Sequence, residues 1–202
     1  MAAAGAPHGT VVVADAQTAG RGRLGRTWSS APGENLLLSV VLRPAVPVRE
    51  APLLTLGAAA GVATALDVRV KWPNDLVDDD GHKLGGFLAE LETAGDRVAH
   101  VVLGLGLNVI QVEFAALPNA TSLRRLRGQP LDRDDVLDTA VRAILAWCTH
   151  PGRLDLWRER AHTLGRWVTA GAVAGIATEL RDDGALVVGG TVVTAGELGV
   201  GG

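Results

Sequence analysis

Four short stretches of this 202-residue chain combine cations, amides and glycines in patterns suited to holding anions. Residues 17–28 read QTAGRGRLGRTW, which sets Arg21, Arg23 and Arg26 among Gly20, Gly22 and Gly25. Glycine tolerates positive φ and lets backbone N–H groups come close to phosphate oxygens, while forked guanidinium donors match carboxylates and phosphates. The loop therefore suits a phosphate and carboxylate clamp; a solvated basic loop is the plainer reading. It also satisfies the GxGxxG spacing, but that fingerprint needs a helix opening at the third glycine. Trp28, Ser29, Ser30, Pro32 and Gly33 follow instead, so a dinucleotide loop is rejected.

The second stretch, KWPND at 71–75, presents Asn74 and Asp75 at a strand end, because Pro73 fixes its own φ and biases Trp72 toward extended backbone. Such a pair can bind a hydrated magnesium ion and phosphate oxygens, although Asn and Asp after Pro also make ordinary turns. KLGGFLAE at 83–90 puts Lys83 at the mouth of a strand, with Gly85 and Gly86 leaving room for a ligand against the backbone. LGLGLN at 103–108 is another glycine-thinned strand, ending at Asn108. The three aspartates at 78–80 read differently, as an exposed turn before Gly81.

The elements that must carry these residues follow from periodicity. Residues 10–16 form a β-branched strand that delivers loop 17–34, and NLLLSVVLR at 35–43 is a buried strand stopped by Pro44 and Pro47. Leu53, Leu56, Ala60, Ala63 and Leu66 recur at helical spacing, predicting a helix over 50–66. A strand at 68–77 broken at Pro73, an Asp80-Gly81 turn, and strands at 83–92 and 97–108 follow. Helices are predicted over 132–149, capped by Asp132 with Leu137, Val141, Ile144, Leu145 and Cys148 inward, and near 151–162. After Gly165, short valine-rich strands at 166–180, 185–188 and 191–194 suggest a small all-β appendage. Successive strands with few helices between them predict an α/β (α+β) fold: a mixed, largely antiparallel sheet with helices packed on one side.

Composition bounds the partners. With 48% hydrophobic residues the chain can bury a core, and a formal net charge of −3 argues against bulk nucleic-acid binding. Two Phe and no Tyr leave few stacking platforms for RNA. The single cysteine, Cys148, forms no internal disulfide, no Cys/His cluster has zinc spacing, and MAAAGAPHG is neither signal peptide nor anchor. Apolar runs are too short to span a bilayer, so the expectation is a cytoplasmic protein acting on neither membrane nor DNA.

Taken in order, a strand followed by QTAGRGRLGRTW, KWPND, KLGGFLAE and LGLGLN resembles the biotin protein ligase family over roughly residues 9–123. The tail from about 164 resembles that family's small SH3-like domain. The resemblance implies a class II aminoacyl-tRNA synthetase-like catalytic domain over 1–163 and an SH3-like β-barrel, with incomplete closure, over 164–202. It implies that biotin and ATP, with Mg2+, give biotinyl-5′-AMP and pyrophosphate, and that biotin then passes to a lysine of a biotin carboxyl carrier domain. Lys83, Arg21 and Arg23 take the catalytic positions. Gln17, Arg21, Gly22, Arg23, Lys83, Gly85 and Gly104 take the biotin positions, and Arg23, Trp28, Asn74, Asp75, Lys83 and Asn108 the ATP positions, with Asp75 at the metal.

The chain starts just ahead of its first strand, without the Ser-Thr-Asn segment the family carries upstream and without a helix-turn-helix, so the expectation is a monofunctional ligase with part of the biotin pocket missing. WVTAGAVAGIATEL at 167–180 lacks a hairpin usual in the family barrel. The alternatives are a catalytically impaired homologue and a lipoate or octanoate ligase of the same superfamily. A homodimer is an assembly the resemblance allows.

Overall fold

A computed structural model describes residues 1–114 and 117–200. Strands β1 (Val11–Ala14), β2 (Asn35–Leu42), β3 (Arg69–Lys71), β4 (Asp75–Val77), β5 (Lys83–Ala94) and β6 (Arg97–Asn108) form one sheet in the order β1-β2-β6-β5-β4-β3. Every neighbouring pair is antiparallel. Helix α1 (Ala51–Ala65) crosses from β2 to β3, and α2 (Leu123–Arg127), α3 (Arg133–Trp147) and α4 (Arg153–Arg160) follow β6. A second sheet holds β7 (Trp167–Ala170), β8 (Val173–Leu180), β9 (Leu186–Val188), β10 (Thr191–Val193) and β11 (Leu198–Val200). No helix among the described residues is long and apolar enough to cross a membrane.

Register decides which face of the first sheet is core. Leu38, Leu105 and Phe87 lie side by side across β2, β6 and β5, and all three are buried in the apolar cluster beneath the helices. Because side chains alternate along a strand, their neighbours Ser39, Gly104 and Leu88 point to the opposite face. Gly86 and Gly106 form the next such pair. The face away from the helices is thereby kept shallow, and the chemistry-bearing loop lies over it.

Helix α1 differs from the one-sided stripe its spacing predicts: every residue from Leu53 to Ala63 except Thr55 is buried. It runs between the sheet and helices α3 and α4, so it has no solvent face. Small residues make that possible. A Cβ on Gly57 would sit 2.5 Å from the Trp147 carbonyl oxygen, and one on Gly61 2.8 Å from Trp147 Cβ. In α3 the Asp132 carboxylate accepts from the Asp134 N–H at 2.7 Å, as a cap should. Its buried stripe is Val136, Ala140, Ala143 and Ile144, with Leu137, Val141 and Leu145 half-buried alongside. The packing face is thus rotated slightly from the predicted one.

Two further expectations change. Asp78 is buried, not exposed: its carboxylate accepts from the Asp80 and His82 N–H groups and meets His82 Nδ1 at 2.9 Å, tying off the β4–β5 turn. Residues 166–180 do contain a hairpin: β7 and β8 pair from Trp167 with Ile176 to Ala170 with Val173, turning at Gly171 with φ +60°. The second sheet runs β10-β9-β8-β7-β11 with β10 and β11 at opposite edges, so strand pairing does not close it into a barrel among the described residues. Residues 201 and 202 of the expected C-terminal domain lie outside the described residues.

The two sheets are joined at the strand that carries KWPND. The His162 N–H donates to the Val70 carbonyl at 2.8 Å, and the Trp72 N–H donates to Thr163 Oγ1 at 2.9 Å. Buried Trp72 donates its indole N–H to the Gly184 carbonyl at 3.0 Å.

Candidate active site

The arginine loop is more ordered than a bare glycine-rich stretch implies. The Trp28 N–H donates to the Gly20 carbonyl at 3.0 Å and the Gly22 N–H to the Arg26 carbonyl at 2.7 Å, with Arg21 and Thr27 bridged between them. These bonds make a small hairpin around a 3-10 turn at Arg23–Gly25, which the absence of helical periodicity did not reveal. Gly20 cannot be replaced within it, since a Cβ there would collide with the Trp28 carbonyl oxygen. Leu24 at the tip has φ 55° and is 74% exposed.

The cations leave this hairpin in different directions. Arg21 Nη2 pairs with Glu90 of β5 at 2.7 Å, Arg26 pairs with Glu197 ahead of β11, and Arg23 Nη1 donates to Asn74 Oδ1 at 3.0 Å. Burial pushes the Arg23 pKa down, with attraction from Asp75 opposing it; a guanidinium keeps its charge regardless.

Strands β4 and β5 hold the other half. The Asn74 amide donates to the Phe87 carbonyl at 2.7 Å while the Phe87 N–H donates to the Asn74 carbonyl at 2.8 Å. Asn74 is therefore locked by three bonds. Next to it, Lys83 Nζ donates to Asp75 Oδ1 at 2.7 Å across the β4–β5 pair. Gly86 makes room for that contact, since a Cβ there would lie 2.9 Å from Asp75 Oδ1. On the floor, the Trp28 indole lies flat against Gly106, where a Cβ would be 2.6 Å from Trp28 Cε2. The Trp28 Nε1 is buried without a hydrogen-bond partner.

These elements enclose a cleft of about 370 Å³. The structure brings Gln17, Arg21, Gly22, Arg23, Trp28, Asn74, Asp75, Lys83 and Gly104 to its walls. Two predicted site residues are not there. Gly85 pairs with Leu107 in β6 and belongs to the helix-covered face; its lack of a Cβ allows close strand packing, since a Cβ would collide with the Gly106 carbonyl. The residue that thins the cleft wall is its neighbour Gly86. Asn108 is buried and donates to the Thr121 carbonyl at 3.0 Å, anchoring the segment after β6. Ser39 and Gly106 line the cleft unforeseen; strand alternation from Gly104 would have found Gly106, whereas Ser39 is placed by its pairing with Gly104 across β2 and β6.

Asp75 is the carboxylate a magnesium ion would need, and the donor set fits one. Its Oδ1 meets Lys83, while Oδ2 makes no hydrogen bond among the described residues. One carboxylate oxygen, waters and substrate phosphates are the ordinary environment of that ion.

Comparison with known proteins agrees with this geometry. Residues 2–108 match the model of the biotin/lipoate A/B protein ligase family. The chain is 37% identical over 205 residues to the bifunctional ligase/repressor BirA of Bacillus spizizenii, covering 91% of the chain but 62% of that protein. It is 36% identical over 222 residues to the biotin–acetyl-CoA-carboxylase ligase of Mycobacterium tuberculosis, covering 98% and 81%. The biotin protein ligase of Aquifex aeolicus, solved with biotin and ATP, superposes with a TM-score of 0.75 at 27% identity over 96% of this chain and 89% of that one. The chain thus spans less than two thirds of the length of its bifunctional relatives. With more than half of its residues matched by the family model and a relative of 36% identity covered over 81% of its length, the chain belongs to the biotin/lipoate A/B protein ligase family.

Proposed function

We propose that the chain is a biotin protein ligase, which forms biotinyl-5′-adenylate from biotin and ATP and passes biotin to a lysine of a carboxylase carrier domain in the cytoplasm. The observation that carries this reading is the convergence of Arg21 and Arg23 from the hairpin and Lys83 from β5 on one cleft. The relatives named for biotin, and the Aquifex ligase solved with biotin and ATP, favour biotin over lipoate as the acid. Residues 1–163 supply the cleft apart from Glu197, which comes from the small second module formed by residues from 164.

A carboxylate must attack the α-phosphorus of ATP although both are anionic. Arg21 and Arg23 suit the carboxylate through forked donors, and Lys83 places a point charge between carboxylate and α-phosphate. Asp75 orients the Lys83 ammonium and would hold Mg2+, which supplies countercharge to the phosphates. Asn74 fixes Arg23 in place. Trp28 offers an aromatic face for the adenine and an unpaired N–H. Preorganised cations of this kind act by stabilising the charge that develops at the transition state.

Biotin-dependent exchange of pyrophosphate into ATP tests the reading. Lys83→Ala should lose at least about a hundredfold in exchange rate, the effect of roughly 3 kcal/mol from one preorganised donor, with an unchanged circular dichroism spectrum. Full exchange by that variant, or none by the wild-type chain, sinks the proposal.

A further inference from the structure

The arginine hairpin is tied to the two sheets by ion pairs of solvent-accessible side chains, Arg21 with Glu90 and Arg26 with Glu197. Such pairs hold a loop weakly. Its path is set instead at the neck, where β1 ends at Ala14, β2 begins at Asn35, and the Gly33 N–H donates to the Asp15 carbonyl at 3.0 Å. Arg133, the first residue of α3, reaches both feet of that neck from 100 and 118 residues away in sequence. Its Nη1 donates to the Gly33 carbonyl at 2.5 Å and its Nη2 to Asp15 Oδ1 at 3.1 Å, so one guanidinium clasps the two limbs together.

The needs of α3 do not explain this arginine. A cation in the first turn lies at the positive end of the helix dipole, and Asp132, Asp134 and Asp135 already supply the cap and the favourable charge there. The Arg133 side chain is 22% exposed and its Nε is buried without a partner, so it gives up hydration to reach the neck. The two limbs depend on it unequally. Fully buried Asn35 donates to Ser30 Oγ at 3.0 Å and anchors the returning limb independently. Residues 16–19 of the outgoing limb, Gln17 of the cleft wall among them, make no hydrogen bond among the described residues.

We propose that Arg133 is a positioning residue for the adenylation cleft: by clasping both feet of loop 15–34 it holds the hairpin and Gln17 where a ligand meets them. The ligand is then spared the cost of ordering the loop. A loop in place for only a fraction of the time lowers apparent affinity by that fraction and leaves the chemistry of the assembled site unchanged. The kinetic effect rests on the ligase reading, while the hold on the loop is measured without turnover.

In biotin-dependent pyrophosphate exchange, Arg133→Ala should raise the KM for biotin about tenfold, the loss of charge-assisted contacts, with kcat within about threefold of wild type. A merely structural defect would lower kcat through lost active protein and leave KM alone. Arg133→Lys keeps one donor for the Gly33 carbonyl and should show a smaller rise, about threefold; it carries the test if thermal melts show the alanine variant unfolded. Arg142→Ala, which removes an exposed ion pair on the same helix, should leave KM unchanged. In the ligand-free chain, trypsin should cut after Arg23 at the hairpin tip at least about fivefold faster in Arg133→Ala, since cleavage reads local opening. A wild-type KM or a wild-type cleavage rate in a folded Arg133 variant overturns the proposal. Faster cleavage in the variants, with no exchange by the wild-type chain, upholds the clasp and removes the ligase reading alone.

Discussion

The arginine hairpin and the β4–β5 scaffold face each other across one cleft but are built on opposite terms. In the hairpin, Arg21 is 69% exposed and its partner Glu90 50% exposed, so their ion pair contributes little to stability and is readily exchanged for a ligand. In the scaffold, Asp75 is 23% exposed, Trp72 is 2% exposed, and backbone bonds hold Asn74 to Phe87 on both sides. The contrast separates two tasks. One half keeps its charges fixed in direction, and the other keeps them paired to acids that a substrate can displace.

Substitutions at two glycines of neighbouring strands should show the separation most strongly. Gly85→Ala drives a methyl into the backbone of β6 and should destabilise the protein by about 1–3 kcal/mol, read as a lower denaturation midpoint. Gly106→Ala meets the Trp28 ring first, a side chain rather than backbone, so it should leave the midpoint nearly unchanged while weakening ATP binding. Equal loss of stability in both variants would erase the distinction between the two regions. Trp72→Phe removes the indole bond to Gly184 and leaves a buried carbonyl unpaired, at about 1–2 kcal/mol in a urea melt.

Acid should act on the scaffold side through His162. Burial first, then Arg166 and Lys71, lower its folded-state pKa, so the unfolded chain binds more protons, and stability present above the ordinary histidine value of 6.5 should decline as pH falls below it. The slope cannot exceed about 1.4 kcal/mol per pH unit for one proton, and His162→Gln should flatten it. The smallest effect belongs to Glu90→Gln. It frees Arg21 and should change stability by less than about 0.5 kcal/mol while modestly tightening binding of the anionic substrate.

Much of this was legible in the residues. The order and boundaries of the strands through β6 and the Asp132 cap follow from patterns local in the chain, while the meeting of the arginine loop with Lys83 and Asp75 was implied only by the family resemblance. What escaped was set by register and by long-range contacts. Gly85 and Gly86 are indistinguishable in sequence, and only pairing with β6 assigns one to the core face and the other to the cleft. Asn108 ends a strand of the right type, yet its amide turns to Thr121, thirteen residues on. Asp78 reads as one of three exposed aspartates until the turn closes over it.

Helix α1, wrapped on all sides, has a consequence for how the chain can be divided. The covering layers α3 and α4 come from residues 133–160, beyond the 2–108 stretch that matches the family model. A polypeptide ending at 108 would leave an alanine-rich cylinder with half its circumference bare to water, and should clump rather than behave as a free-standing unit. Synthesis on the ribosome therefore has to pass the Arg160 codon before α1 gains its full cover.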